Sequence, residues 1–179
     1  MSLIEEKVAN PHILNPNGSN VMHILFANFM YNEVEAEKLA MKLIEVKVNI
    51  NLVDNNGLTP IHVAIKKSQR KALEFALRFN QNGKTQGFNF NQRGKKNFTP
   101  LHYAVIKTDY ESFIFLVTQK LCDIYALDDM YRTPRGLSLI NSPFYKILYK
   151  QERRQVFRLA ALSPLQPPPK LTTDPSRLN

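Results

Sequence analysis

Three of the four histidines, His23, His62 and His102, stand 39 and 40 residues apart, each preceded by an aliphatic residue or methionine. Imidazoles ligate metals or move protons, but a metal site needs its ligands to converge on one point. A shared register in separate segments predicts the opposite. It puts the rings at equivalent places in successive layers, roughly 10 Å apart as packed helical layers are, too far to share one ion. The expected role is structural, an imidazole hydrogen-bonded to backbone. His12 has no partner set. Cys122 is the single cysteine, which leaves no internal disulfide and no zinc site of the Cys-pair type. With no histidine near it in sequence it reads as a packed thiol. There is no Gly-x-Ser-x-Gly elbow, no Gly-rich phosphate loop ending in lysine and no His-Glu-x-x-His. Asp128-Asp129 is more simply a turn than an acid and base pair. The expectation is a noncatalytic protein with no cofactor and no metal.

The elements that hold these residues repeat. Thr59-Pro60-Ile61-His62-Val63-Ala64 recurs forty residues later as Thr99-Pro100-Leu101-His102-Tyr103-Ala104, and Thr133-Pro134 follows thirty-four further on. Backward, Asn20-Val21-Met22-His23 keeps the frame, with Gly18 two residues ahead as Gly57 is ahead of Thr59. A threonine hydroxyl accepts from an orphan amide and proline suits the first helical position, so helices are predicted to start at Thr59 and Thr99. Polar breaks at Lys66-Lys67-Ser68-Gln69 and Lys107-Thr108-Asp109 then precede a second apolar stretch, giving a helical hairpin per unit. Asp54-Asn55-Asn56-Gly57 supplies the turn between units. Ser142-Pro143 opens a last helix through Phe144, Ile147 and Leu148 toward Val156, Phe157 and Leu159. Three consecutive prolines, Pro167 to Pro169, predict an extended tail over 163–179. The stretch 81–87, with Gly83 and Gly87, is an insertion predicted to be an exposed loop, either a disordered bulge or a contact element.

On these residues the chain resembles ankyrin-repeat proteins, whose unit of about 33 residues carries a Thr-Pro-Leu-His-x-Ala signature. Leu43-Ile44 ahead of Ile50-Asn51, and Cys122-Asp123-Ile124, are similar to the family's unit ends. The resemblance implies an all-α ankyrin-repeat solenoid of about four helix-turn-helix units with short hairpin-like fingers, plus an extended proline-rich C-terminal tail. Expected boundaries are an N-terminal cap segment 1–14, a repeat domain 15–162 with units near 15–50, 51–90, 91–124 and 125–160, and the tail 163–179. Asn20-Val21 in place of Thr-Pro, and Arg135-Gly136 in place of Leu-His, mark the end units as irregular. Gly94 and Asn97 stand where the family has aspartate and glycine, which leaves the third finger's turn type open.

The net charge of +9 is concentrated. Residues 66–96 hold nine basic side chains against one acidic, and 146–179 hold seven against two. Such clusters favour an acidic partner or simply form a solvated face. Proteins of this resemblance hold partners on finger tips and inner-helix ends. Carried over unit by unit, that implies a partner-binding strip of Asn55, Asn56, Leu58, Lys66 and Lys67, then Lys95, Lys96, Phe98, Ile106 and Lys107, then Asp129, Met130 and Arg132. The expected partner is an acidic protein surface or segment with an apolar anchor, within a multi-protein assembly. A cytoskeletal structural subunit, using the tail leucines Leu165, Leu171 and Leu178, is one variant. The alternative is a nucleic-acid-binding accessory protein working through Lys66, Lys67, Lys95, Lys96, Arg153 and Arg154, ranked lower because few aromatics interleave with these charges.

Composition bounds the rest. An apolar fraction of 44% with 22% charged residues suits a folded core over most of the chain. Glu5 and Glu6 stand where a signal peptide needs basic residues, and apolar runs such as 113–117 are far below the roughly 18 residues that span a bilayer. The expectation is a cytoplasmic, cytoskeleton-associated protein with no membrane insertion.

Overall fold

The computed structural model of the chain describes residues 10–82 and 87–162. The tail 163–179, most of the N-terminal cap segment and the centre of the 81–87 insertion lie outside them. Eight α-helices and two 3-10 turns follow in order among the described residues, with no strand. They are α1 (Val21–Ala27), α2 (Glu33–Glu45), α3 (Pro60–Lys66), α4 (Arg70–Gln81), α5 (Pro100–Ile106), α6 (Tyr110–Thr118), α7 (Pro134–Leu137) and α8 (Pro143–Leu162). The helices form two rows. In the inner row α1 packs on α3, α3 on α5 and α5 on α7, while α4 packs on α6 in the outer row and α8 covers α7. An all-α ankyrin solenoid is what the sequence implied.

Each inner helix begins where the sequence placed a cap. Thr59, Thr99 and Thr133 hold extended backbone and accept from the amides of His62, His102 and Gly136 respectively, with proline following each. Asn20 does the same for α1 by accepting from the amides of Met22 and His23. The helices α2, α3, α5 and α6 end without glycine. Lys47, Ser68, Thr108 and Lys120 sit in the left-handed region, with φ between 51° and 60°. The amide after each returns to a carbonyl of the last turn, Gln69 to Ala64 at 2.8 Å and Asp109 to Ala104 at 3.0 Å among them.

Between helix pairs the chain makes a finger closed on itself. Asn15 to Ser19, Asp54 to Leu58, Gly94 to Phe98 and Asp128 to Arg132 each carry an amide-to-carbonyl bond of 2.8–3.0 Å. Three of the four are further pinned by a side chain at the first position. Asn15 Oδ1 accepts from the amides of Asn17 and Ser19, Asp54 Oδ1 from those of Asn56 and Leu58, and Asp128 Oδ1 from those of Met130 and Arg132. The third finger has Gly94 there, and turns instead through a 3-10 segment with Lys96 and Asn97 at positive φ. A Cβ on Gly94 would lie 2.1 Å from the Gly57 carbonyl oxygen, so only glycine lets the second and third fingers touch. That contact is made by the Lys95 amide donating to Gly57 O at 3.1 Å.

The core runs the length of the array. Phe26, Phe29, Phe75, Phe79 and Phe88 form one buried ring cluster, with neighbouring centroids 5.1–6.4 Å apart. Phe88 reaches it because Asn80 clamps the two ends of the insertion: its side chain both accepts from the Phe88 amide and donates to the Phe88 carbonyl, each at 2.8 Å. Asn51 and Asn91, each in the chain after one outer helix, reach the chain after the next in the same manner. Asn51 pairs with Gly87 O and the Asn89 amide, and Asn91 with Leu121 O and the Asp123 amide.

Candidate functional site

The fingers are held to the inner helices by the repeated histidines. His23 Nε2 meets Leu58 O at 3.0 Å, His62 Nε2 meets Phe98 O at 3.1 Å, and His102 Nε2 meets Arg132 O at 3.1 Å. In every case the acceptor is the residue just before the next unit's capping Thr. Each ring therefore staples its own unit to the following finger. Burial drives all three rings below the ordinary imidazole value, His62 down to about 4, against the raising effect of the carbonyl each one faces. Among the described residues no group of three or more His, Cys, Asp or Glu could hold a metal ion. Cys122 packs its Sγ 3.9 Å from Phe90 O, and burial pushes the thiol up, away from the reactive thiolate. No described helix is long and apolar enough to cross a membrane.

Fixing the fingers in this way leaves a cleft of about 370 Å³ between the second and third fingers and the ends of α3 and α5. Its rim carries the ammonium groups of Lys66, Lys95 and Lys96, all on exposed side chains, with Asn56 beside them. Its floor is Phe98, Tyr103 and the edge of His62, whose ring meets Tyr103 edge-on at 5.7 Å between centroids. No acidic side chain lines it among the described residues. Burial and the charge of Asp54 push the Tyr103 phenol up, so it stays a neutral hydroxyl, able to donate. The neighbouring Asp54 is occupied: Ser19 Oγ donates to its second oxygen at 3.1 Å.

Six of the thirteen residues expected to bind a partner line this one cleft: Asn56, Leu58, Lys66, Lys95, Lys96 and Phe98. Lys107 lies at its edge, its Nζ 5.8 Å from the Tyr103 ring centroid, and Ile106 is 43% exposed beside it. Leu58 corrects the expectation in one respect, since at 7% exposure its side chain is packed away and offers a partner almost no apolar surface. Asn55 turns to the first finger, its amide bonding Asn17 O at 2.9 Å. Lys67 is exposed at the C-terminus of α3 but does not line the cleft. Met130 is exposed on the fourth finger, and Arg132 is engaged with Asp128 at 2.8 Å. The sequence reading missed Tyr103, which occupies the variable position of its signature. Its place four residues before Lys107, one helical turn away at the end of α5, was the available signal.

A family model described as ankyrin repeats (3 copies) matches residues 32–128, more than half of the chain. No curated protein matches the chain.

Proposed function

We infer, because the chain belongs to the ankyrin-repeat family and ankyrin repeats generally mediate protein–protein interaction, that it is a noncatalytic scaffold holding an acidic segment of a partner protein in the cleft between its second and third fingers. One observation carries this reading: Lys66, Lys95 and Lys96 surround an aromatic floor of Phe98 and Tyr103 with no acidic side chain among the lining residues. Burying an apolar anchor on such a floor supplies most of the affinity, while the lysines steer and set register. The Asn56 amide and the Tyr103 hydroxyl add neutral donors for carboxylate or main-chain oxygens.

The test is a titration of the full chain with a fluorescein-labelled peptide of glutamates flanking one phenylalanine. Binding is expected to weaken with added salt and to fall by about tenfold or more in Lys95→Glu with Lys96→Glu, the range in which charge-pair losses lie. Phe98→Ala should weaken it at high and low salt alike. A single-stranded oligonucleotide that binds more tightly, and loses the same affinity in the lysine variant, would favour the nucleic-acid alternative.

The wider setting proposed is a cytoplasmic, cytoskeleton-associated assembly in which the chain is a small structural subunit. What supports it is the Leu165, Leu171 and Leu178 spacing in a proline-rich segment. Deleting residues 163–179 should then abolish co-purification with the assembly, and unchanged co-purification would rule that setting out.

A further inference from the structure

We propose a second, separate acidic-peptide site on the outer side of the solenoid, in the cleft of about 470 Å³ where the second half of α8 stands away from the C-terminus of α6. The origin of this opening is visible in α8 itself. The stripe it turns to the solenoid begins apolar, with Leu148 fully buried and Phe144 packed on Phe113 at 4.8 Å between ring centroids. Continuing along the same stripe at helical spacing come Gln151, Arg154, Gln155 and Arg158, where a closing helix would carry leucine or valine. Polar residues there leave the facing surface of α6 uncovered.

That surface forms the floor, with Val117, Ile124 and the Cys122 thiol, and Lys120 stands on the wall opposite the two arginines. Lys120, Arg154 and Arg158 are all exposed, and none makes an ion pair among the described residues. No acidic side chain lines the cleft among those residues either. Three unpaired cations around an apolar floor complement carboxylates on a chain that also presents aliphatic side chains. The charges also select among occupants. The segment 163–179 carries Lys170 and Arg177 against Asp174, an excess of the same sign as the cleft, and a second copy of a chain of net charge +9 is repelled in the same way. No aromatic ring lines the cleft among the described residues, so unpaired bases would find no stacking platform. An acidic segment of another protein is the occupant that fits.

The two clefts share no lining residue: the first is made by fingers and inner helices, the second by α6, α8 and the chain following α6. The scaffold would thus hold two acidic segments at once and bridge them.

The experiment titrates the full chain with a peptide of alternating glutamate and leucine, followed by calorimetry and by methyl and aromatic NMR. Two equivalents should bind, one shifting the methyls of Val117 and Ile124 and the other the rings of Phe98 and Tyr103. Arg154→Glu with Arg158→Glu should remove the first set of shifts and one equivalent, leaving the second set. Lys120→Gln, which lies off α8, should weaken the second site by several-fold without changing the circular dichroism, and it keeps the test valid if the double variant unfolds. Shifts confined to Phe98 and Tyr103, with one equivalent bound, would overturn the second site and leave the first intact. Shifts confined to Val117 and Ile124 would uphold the second and sink the first. Displacement of the peptide from Val117 and Ile124 by a lower concentration of a single-stranded oligonucleotide would overturn the choice of occupant.

Discussion

A carbonyl oxygen only accepts, so Phe98 O fixes the proton of His62 on Nε2 and leaves Nδ1 to accept from the Thr59 amide at 3.3 Å and its hydroxyl at 2.9 Å. Protonating this buried ring would turn Nδ1 into a donor facing a donor. Above pH 6.5 the ring is neutral in folded and unfolded chains alike and contributes no pH dependence. As pH falls from 6.5 toward 4 the unfolded chain takes up a proton that the folded one refuses, so stability drops by on the order of 3 kcal/mol and levels off below. His23 and His102 are shifted the same way and add to the fall. Urea unfolding across this window should show the loss, and His62→Gln should make it shallower, leaving the part due to His23 and His102; an equal slope in both proteins would contradict the assignment. His23 differs in one contact. Asn20 Oδ1, an acceptor, faces its Nδ1 at 2.7 Å, where Thr59 and Thr99 offer a hydroxyl that can donate. A neutral His23 can therefore satisfy only one of two acceptors, Asn20 Oδ1 or Leu58 O. Asn20→Thr is expected to lower further the pH at which His23 titrates, read from its ring NMR shifts.

At the scale of elements, helix ends carry more cost than helix starts. Lys47, in the left-handed region at φ 60° after α2 and exposed, has a Cβ penalty that glycine lacks. Lys47→Gly should therefore raise unfolding free energy by about 1 kcal/mol, while Lys47→Ala should leave it unchanged. The fingers give the opposite sign. Gly94→Ala would drive a methyl into Gly57 O, part the second and third fingers, and both lower the melting temperature and weaken the acidic peptide at Lys95 and Lys96. The starts were legible in sequence because the capping threonine and first-turn proline act within one helical turn, and the histidine register exposed the layering. The ends of α3 and α5 were legible too, as the polar breaks at 66–69 and 107–109, but the left-handed closure was not, since no glycine marks it. Nor was the Asn80 clamp on Phe88, which closes an insertion the other units lack, or the pairing of Asn51 and Asn91: their forty-residue spacing follows the repeat, but it does not say which peptide groups they meet. The cleft was half legible for the same reason. Its lysines sit on the finger and the helix end where the resemblance implies partner contacts, but whether Leu58 points out or packs in depends on the finger's own Asp54-pinned turn.

In a molecule of stacked layers, stability is a sum of units and the interfaces between them, so the ends and the middle need not open together. The middle has the five-phenylalanine cluster and a histidine staple on each side. The last unit has α7 of four residues, and Gly136 at the histidine register, so it passes no staple onward. It is held by α5 and the His102 bond to Arg132 O on one side and by α8 on the other, through Phe144 against Phe113 and Tyr110, buried Leu148, and Arg135 with Glu152 at 2.7 Å. Phe144 is half-buried, so Phe144→Ala should cost about 2 kcal/mol, below the range for a fully buried ring. Hydrogen exchange should show that loss in α7 and α8, with α3 and α5 keeping their protection. A uniform loss from α3 to α8 would mean instead that the array opens as one body. The two clefts divide along the same line. The first lies between the second and third units and should still take its acidic peptide in Phe144→Ala, whereas the second has α8 as one wall and should lose its peptide together with the protection of that helix.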